Sequence, residues 1–174
     1  MSLRQTCLYS LVFLLLPAFL QCPLSDLTGI KEEDVLNVAE RNKASERYTK
    51  MNDAMRRHDV KALDQLIQDN QGQADLRYAK AAIQIAQGDV NGGIRTAAQA
   101  KGLPEMRGND TDGAYLFSWQ LGVALNFYSK GTPEYGRLQS AFCGQASETN
   151  RLNVAAGRPT VYNLSQTCPP ARGP

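Results

Sequence analysis

Between residues 25 and 150 the apolar positions recur at spacings of three and four rather than in alternation, which predicts helices separated by polar breaks. The clearest stretch runs from Ala74 to Gly102. Leu76, Ala79, Ile83 and Ala86 fall on one helical face, and Gly88 then ends the helix, because glycine takes a positive φ without a Cβ clash. Asp89 follows as a side-chain acceptor for the first N–H groups of the next helix. That helix carries Val90, Ile94, Ala97 and Lys101, with Lys101 near the negative end of its dipole and Gly102-Leu103-Pro104 closing it. The many alanines predict two helices packed face to face at close approach.

The same logic predicts a hairpin upstream. Val35, Val38 and Ala39 form one short amphipathic segment, and Tyr48, Met51 and Met55 form another that runs up to Arg56-Arg57-His58. Asp59 caps the next helix, carrying Val60, Leu63 and Ile67. His58-Asp59-Val60 and Gly88-Asp89-Val90 are spaced by 30 residues, as are Tyr48 and Tyr78. A third hairpin follows a polar break at residues 104–113, expected to be an exposed loop. Tyr115, Trp119 and Val123 mark one face of its first helix, and Phe117, Leu121, Ala124, Leu125 and Tyr128 fill the rest, so burial on several sides is expected, with Trp119 and Phe127 as core. Lys130-Gly131 ends this helix, Thr132 caps its partner, and Pro133 takes the first position, where the missing N–H is no loss. Tyr135, Leu138, Phe142 and Ala146 supply the partner's core face. After Asn150 the pattern dissolves, and Thr160-Val161-Tyr162 is expected to lie extended across the helices.

Around Gly88-Asp89 the chain resembles a tetratricopeptide repeat. Ala81 falls at that family's helix-packing position, Gly88-Asp89 at its turn, Ile94 and Ala100 at its second-helix core positions, and Pro104 near its end. Tyr78 supplies half of the aromatic signature, and Gly93 replaces the alanine expected before Ile94, which loosens that packing. Other helical repeats, such as the Sel1-like type, share these features. The resemblance implies an all-α domain of three helical hairpins stacked as a short α-solenoid. It also implies a peptide-binding concave surface lined by Tyr48, Asn52 and Met55 in one hairpin and Asp75, Tyr78, Ala82 and Ile85 in the next.

Composition adds the compartment. The 174 residues, 43% hydrophobic and 21% charged, suffice for one core. Arg4 precedes an apolar run from Leu8 to Leu20 that is too short to span a bilayer, so residues 1–22 read as an export signal. Residues 23–150 then form the helical domain and 151–174 an irregular tail. Cys22 directly after the run is a candidate for lipid acylation, although Phe19-Leu20-Gln21 departs from the small residues such a site prefers; the alternative is that Cys22 belongs to the trailing signal. With Cys7 inside the signal, Cys143 and Cys168 are the natural disulfide pair in an oxidising compartment, pinning the tail.

Candidate chemistry changes little. The cysteines lack a Cys-x-x-Cys pair and His58 is remote, so no metal site is expected, and no cofactor motif occurs. Arg56-Arg57-His58 is a compact basic cluster, but a helix C-terminus favours cations by itself. With net charge +2 and interleaved signs, nucleic acid is not an expected partner. Asn109 and Asn163 match the glycosylation acceptor pattern. Asp110 and Asp112 lack the register of a calcium loop. The expectation is a non-enzymatic adaptor or assembly factor of the cell envelope, exported to the periplasm or beyond, that binds another protein or peptide and meets a membrane only through an N-terminal anchor. Alternatives are an immunity protein neutralising a periplasmic toxin, and an envelope hydrolase using Glu105, Asp110 or Asp112.

Overall fold

The computed structural model of the chain describes residues 32–108 and 110–168. It is all-helical there: α1 (Glu32–Arg56), α2 (Val60–Asp69), α3 (Ala74–Ala86), α4 (Val90–Lys101), a 3-10 turn (Pro104–Met106), α5 (Asp110–Leu125), α6 (Pro133–Ala155) and the short α7 (Leu164–Thr167). The chain divides into two units, Met1–Arg47 and Tyr48–Pro174. In the first, the described residues 32–47 are helical throughout. No break separates the two amphipathic segments expected there, because the intervening Glu40-Arg41-Asn42-Lys43-Ala44-Ser45-Glu46 contains neither glycine nor proline to stop α1. Among the described residues no helix is long and apolar enough to cross a membrane.

Two turns of the second unit share one design. At the end of α1, His58 takes a positive φ of 56°, and at the end of α3 Gly88 takes 94°. In the first turn the amide of His58 donates to Met55 O at 3.0 Å and that of Asp59 to Ala54 O at 2.9 Å. In the second, Gly88 donates to Ile85 O at 3.1 Å and Asp89 to Gln84 O at 2.9 Å. Each pair closes the helix with the 6→1 and 5→2 bonds of a left-handed C-terminal cap. Each aspartate then opens the next helix: Asp59 Oδ1 accepts from Ala62 N at 3.0 Å and Asp89 Oδ1 from Gly92 N at 2.9 Å. The 30-residue sequence echo is thus an echo in hydrogen bonding. The two turns are also joined, Gln87 Nε2 donating to His58 O at 3.0 Å.

α3 is the central helix, packed against α2, α4, α5 and α6, with nine of its 13 residues buried. Met51, Met55, Leu63, Leu76, Ile83, Leu121 and Leu138 are the largest fully buried apolar side chains of the main core, with Phe142 at its edge. A smaller cluster joins Ala74, Tyr78, Ala100 and Met106.

The α3–α4 contact corrects the expected face of α4. Its buried residues are Gly92, Gly93, Thr96 and Ala100, whereas Ile94 is 58% exposed and Val90 42%. The reason is size. A Cβ on Gly93 would lie 2.8 Å from Ala81 O and 2.6 Å from Ile85 Cγ1, so the glycine tightens the packing rather than loosening it. The backbones meet where side chains are smallest, and the larger Val90 and Ile94 are turned outward.

The third hairpin departs from expectation at three points. Residues 110–113 are the first turn of α5 and not a loop. α5 ends at Leu125, short of Lys130-Gly131, so Tyr128 lies in the connection, while Thr132 Oγ1 caps α6 by accepting from Tyr135 N at 3.3 Å. α6 continues past Asn150 to Ala155, where Arg158 N donates to Asn153 O at 2.8 Å around Gly157, whose φ is 71°.

Candidate functional site

Of the seven residues expected to line a concave surface, Met55, Tyr78, Ala82 and Ile85 lie in the core, the most exposed of them at 5%. Tyr78 stacks on Phe117 with centroids 5.2 Å apart. Asn52 is half-buried with Oδ1 unpartnered, and Asp75 Oδ1 accepts from Leu76 N at 2.8 Å. Tyr48 is exposed. Four of the seven therefore hold helices together: Tyr78, Ala82 and Ile85 because α3 is enclosed on several sides, and Met55 because the end of α1 packs into the same core.

A cleft of about 230 Å³ opens between α4, α5 and α6. Tyr78, Gly113, Ala114, Phe117 and Leu152 give it an apolar floor, and Lys101, Asp110, Gln145 and Glu148 stand around it. Lys101 Nζ pairs with Asp110 at 2.9 Å, and Arg151 grips both oxygens of Glu148 at 2.6 Å. That grip, chiefly the hydrogen bonding, holds the Glu148 carboxyl below the usual carboxylate range. Burial and the nearby Asp110 charge push the Tyr78 phenol up. Asp110 sits in a helical first turn against Lys101, and Glu105 in the 3-10 turn before it. These positions are on defined elements, contrary to the loop expected at residues 104–113.

The second feature is a file of aromatic rings across α5, α6 and the tail. Tyr115 and Trp119, four residues apart on α5, have centroids 6.4 Å apart. Tyr115 lies 6.4 Å from Tyr162 of the tail, and Tyr162 meets Phe142 of α6 edge-on at 5.5 Å. Trp119 is 46% exposed, Tyr115 37% and Val161 51%, so this face of α5 is not the core expected of it. The buried face of α5 is instead polar in part: Ser118 and Gln120 lie inside with Leu121 and Ala124.

The tail is held by side chains the sequence did not mark. Asn150 Oδ1 accepts from Val161 N at 2.9 Å and Tyr162 N at 3.0 Å, and its Nδ2 donates to Tyr162 O at 2.8 Å. The Tyr162 hydroxyl meets Ser118 Oγ at 2.8 Å, and Thr149, fully buried, lies 3.4 Å from the same oxygen. Burial pushes the Tyr162 phenol up, and the bond with Ser118 opposes it. The expected Cys143–Cys168 disulfide is formed, with Cα atoms 5.8 Å apart. Small polar residues at core register on facing helices were the available signal for this arrangement.

No family model, curated protein or solved structure matches the chain. The α5 surface offers the exposed Tyr115 and Trp119 rings beside a tail braced by Asn150 and the disulfide. The charged groups around the cleft are already paired with one another.

Proposed function

We propose that this protein is an exported, disulfide-braced helical adaptor that binds another protein or peptide outside the cytosol. The observation that carries the reading is the exposed Tyr115–Trp119 pair, with Tyr162 of the disulfide-fixed tail packed beside Tyr115. Large aromatic side chains held in place and left in water are the groups that contribute most when a partner covers them. The export-signal pattern of residues 1–22 and the disulfide support the compartment. The test is affinity capture of the protein from its native extract, with identification of bound proteins and the mass of the protein's own N-terminus. One stoichiometric protein partner, lost from a Trp119→Ala bait, supports the adaptor. Identical recovery with the two baits removes the aromatic pair from the function, and an N-terminus retaining residues 1–22 removes the export.

A further inference from the structure

Tyr78 of α3 is only 2% exposed, yet among the described residues nothing hydrogen-bonds its hydroxyl. A buried phenol ordinarily finds a partner, so one left single needs a physical reason. For the unpartnered oxygens of Tyr128 and Gln120 the reason is enclosure, since both are sealed from solvent. The Tyr78 oxygen is not sealed in that way, and the little of this residue left uncovered lines the cleft between α4, α5 and α6. Gly113, in the first turn of α5, makes the room. A Cβ there would lie 3.2 Å from the hydroxyl and 3.4 Å from Met106 Cε, so any other residue at 113 would crowd the oxygen.

We infer that this cleft binds a small uncharged molecule, the size of a benzene ring with a short substituent, whose apolar body rests against Phe117 and Leu152 and whose acceptor oxygen receives the Tyr78 hydroxyl. The walls and the rim set that class. Phe117, Leu152 and the alanines 97, 98 and 114 line the cleft with carbon, and a mostly apolar lining with a few fixed polar groups is the usual form of a small-molecule site. The volume of about 230 Å³ exceeds the roughly 150 Å³ that holds benzene, which leaves space for a ketone, amide or ether group. The rim charges close on one another, Lys101 on Asp110 and Arg151 on Glu148, so an anion or a cation would meet a like charge beside every opposite one. Burial and the Asp110 charge keep the phenol protonated, and it therefore acts as a donor. Tyr115 and Trp119 do not line this cleft, and the inference does not rest on the adaptor reading.

The probes are para-fluoroacetophenone, which carries the acceptor, para-fluoroethylbenzene, which has nearly the same shape without it, and para-fluorobenzoate, which is charged. Each is held at a fixed low concentration, titrated with the oxidised full chain and followed by its fluorine NMR signal. The ketone is expected to bind saturably, and at least about fivefold more tightly than either the hydrocarbon, which leaves the phenol unpaired, or the benzoate. Tyr78→Phe keeps the ring on Phe117 and removes the hydroxyl, so ketone and hydrocarbon should bind it equally. Ala98→Trp, at an exposed position on the cleft wall, should abolish the binding of both. Should Tyr78→Phe fail to fold, the wild-type ratio and Ala98→Trp decide. Absence of saturable binding would mean that the cleft holds water only, and overturns the site. Equal affinities for ketone and hydrocarbon, a preference that survives Tyr78→Phe, or binding that Ala98→Trp leaves intact overturn it as well, and benzoate bound as tightly as the ketone overturns the uncharged class.

Discussion

The imidazole of His58 lies flat on the phenol ring of Tyr128, with centroids 4.1 Å apart and planes 7° from parallel. This stack fastens the turn after α1 to the connection after α5. Arg56 stands 5.7 Å over the neighbouring Phe127 ring, and Arg137 Nε donates to Ala86 O at 2.8 Å. Three hairpin turns are thus knitted together at one end of the second unit, and His58 is held at a positive φ that glycine would take more readily. His58→Ala should lower stability by about 1–2 kcal/mol, losing the stack while keeping the Cβ. His58→Gly should recover about 1 kcal/mol of that loss, since it frees the backbone. Urea denaturation of the two variants measures the difference; equal stabilities would mean that the backbone at 58 carries no strain.

At the α3–α4 contact, Gly93→Ala should destabilise by about 1–3 kcal/mol, because the new methyl would press on the Ala81 carbonyl and the Ile85 side chain. Gly136→Ala serves as the control, since nothing lies within 4 Å of a Cβ there. Thermal melts that place both variants together would contradict the close approach of these helices.

Gln120 is 1% exposed, its Nε2 reaches only Met51 Sδ at 3.8 Å, and its Oε1 has no partner. A buried acceptor without a donor costs about 1–3 kcal/mol. Gln120→Met, similar in volume and length, should therefore raise the unfolding midpoint. A lowered midpoint would show that the amide is satisfied in solution.

Stability should also fall on the alkaline side. Burial, with the Glu134 charge adding and Arg137 opposing, pushes the Tyr128 phenol up to about 12 from 10.0. Below pH 10 both folded and unfolded states keep this proton, so its contribution is fully present. As pH rises from 10 to 12 the unfolded chain releases it first, and stability declines. Tyr78 and Tyr162, also raised, act in the same direction. Tyr128→Phe should flatten the decline in a series of denaturant titrations; an unchanged slope would assign it to the other tyrosines.

The readability of the sequence followed side-chain size. Turns written in glycine, aspartate, threonine and proline were legible, because their hydrogen bonds are local: Gly88-Asp89 and Thr132-Pro133 form as the sequence implies. The Cys143–Cys168 bond was legible by counting. The α3–α4 face was not, since periodicity weighs Val90 and Ile94 above Gly92 and Gly93, whereas close packing favours the reverse. Trp119 was misassigned for the same reason: a hydrophobicity pattern records what a side chain would gain by burial and not whether a neighbour arrives to bury it. The Asn150–Tyr162 clamp joins polar residues of two segments across a tertiary contact, which no local pattern encodes.

The most direct measurement is the affinity of the captured partner for the wild-type protein and for the Tyr115→Ala/Trp119→Ala double variant, both oxidised, by titration calorimetry. Removal of two exposed rings that belong to a binding surface should weaken the complex by about 2–4 kcal/mol, with unfolding midpoints that stay close together. Equal affinities would contradict the adaptor surface, and a protein that captures no macromolecule would contradict the function itself.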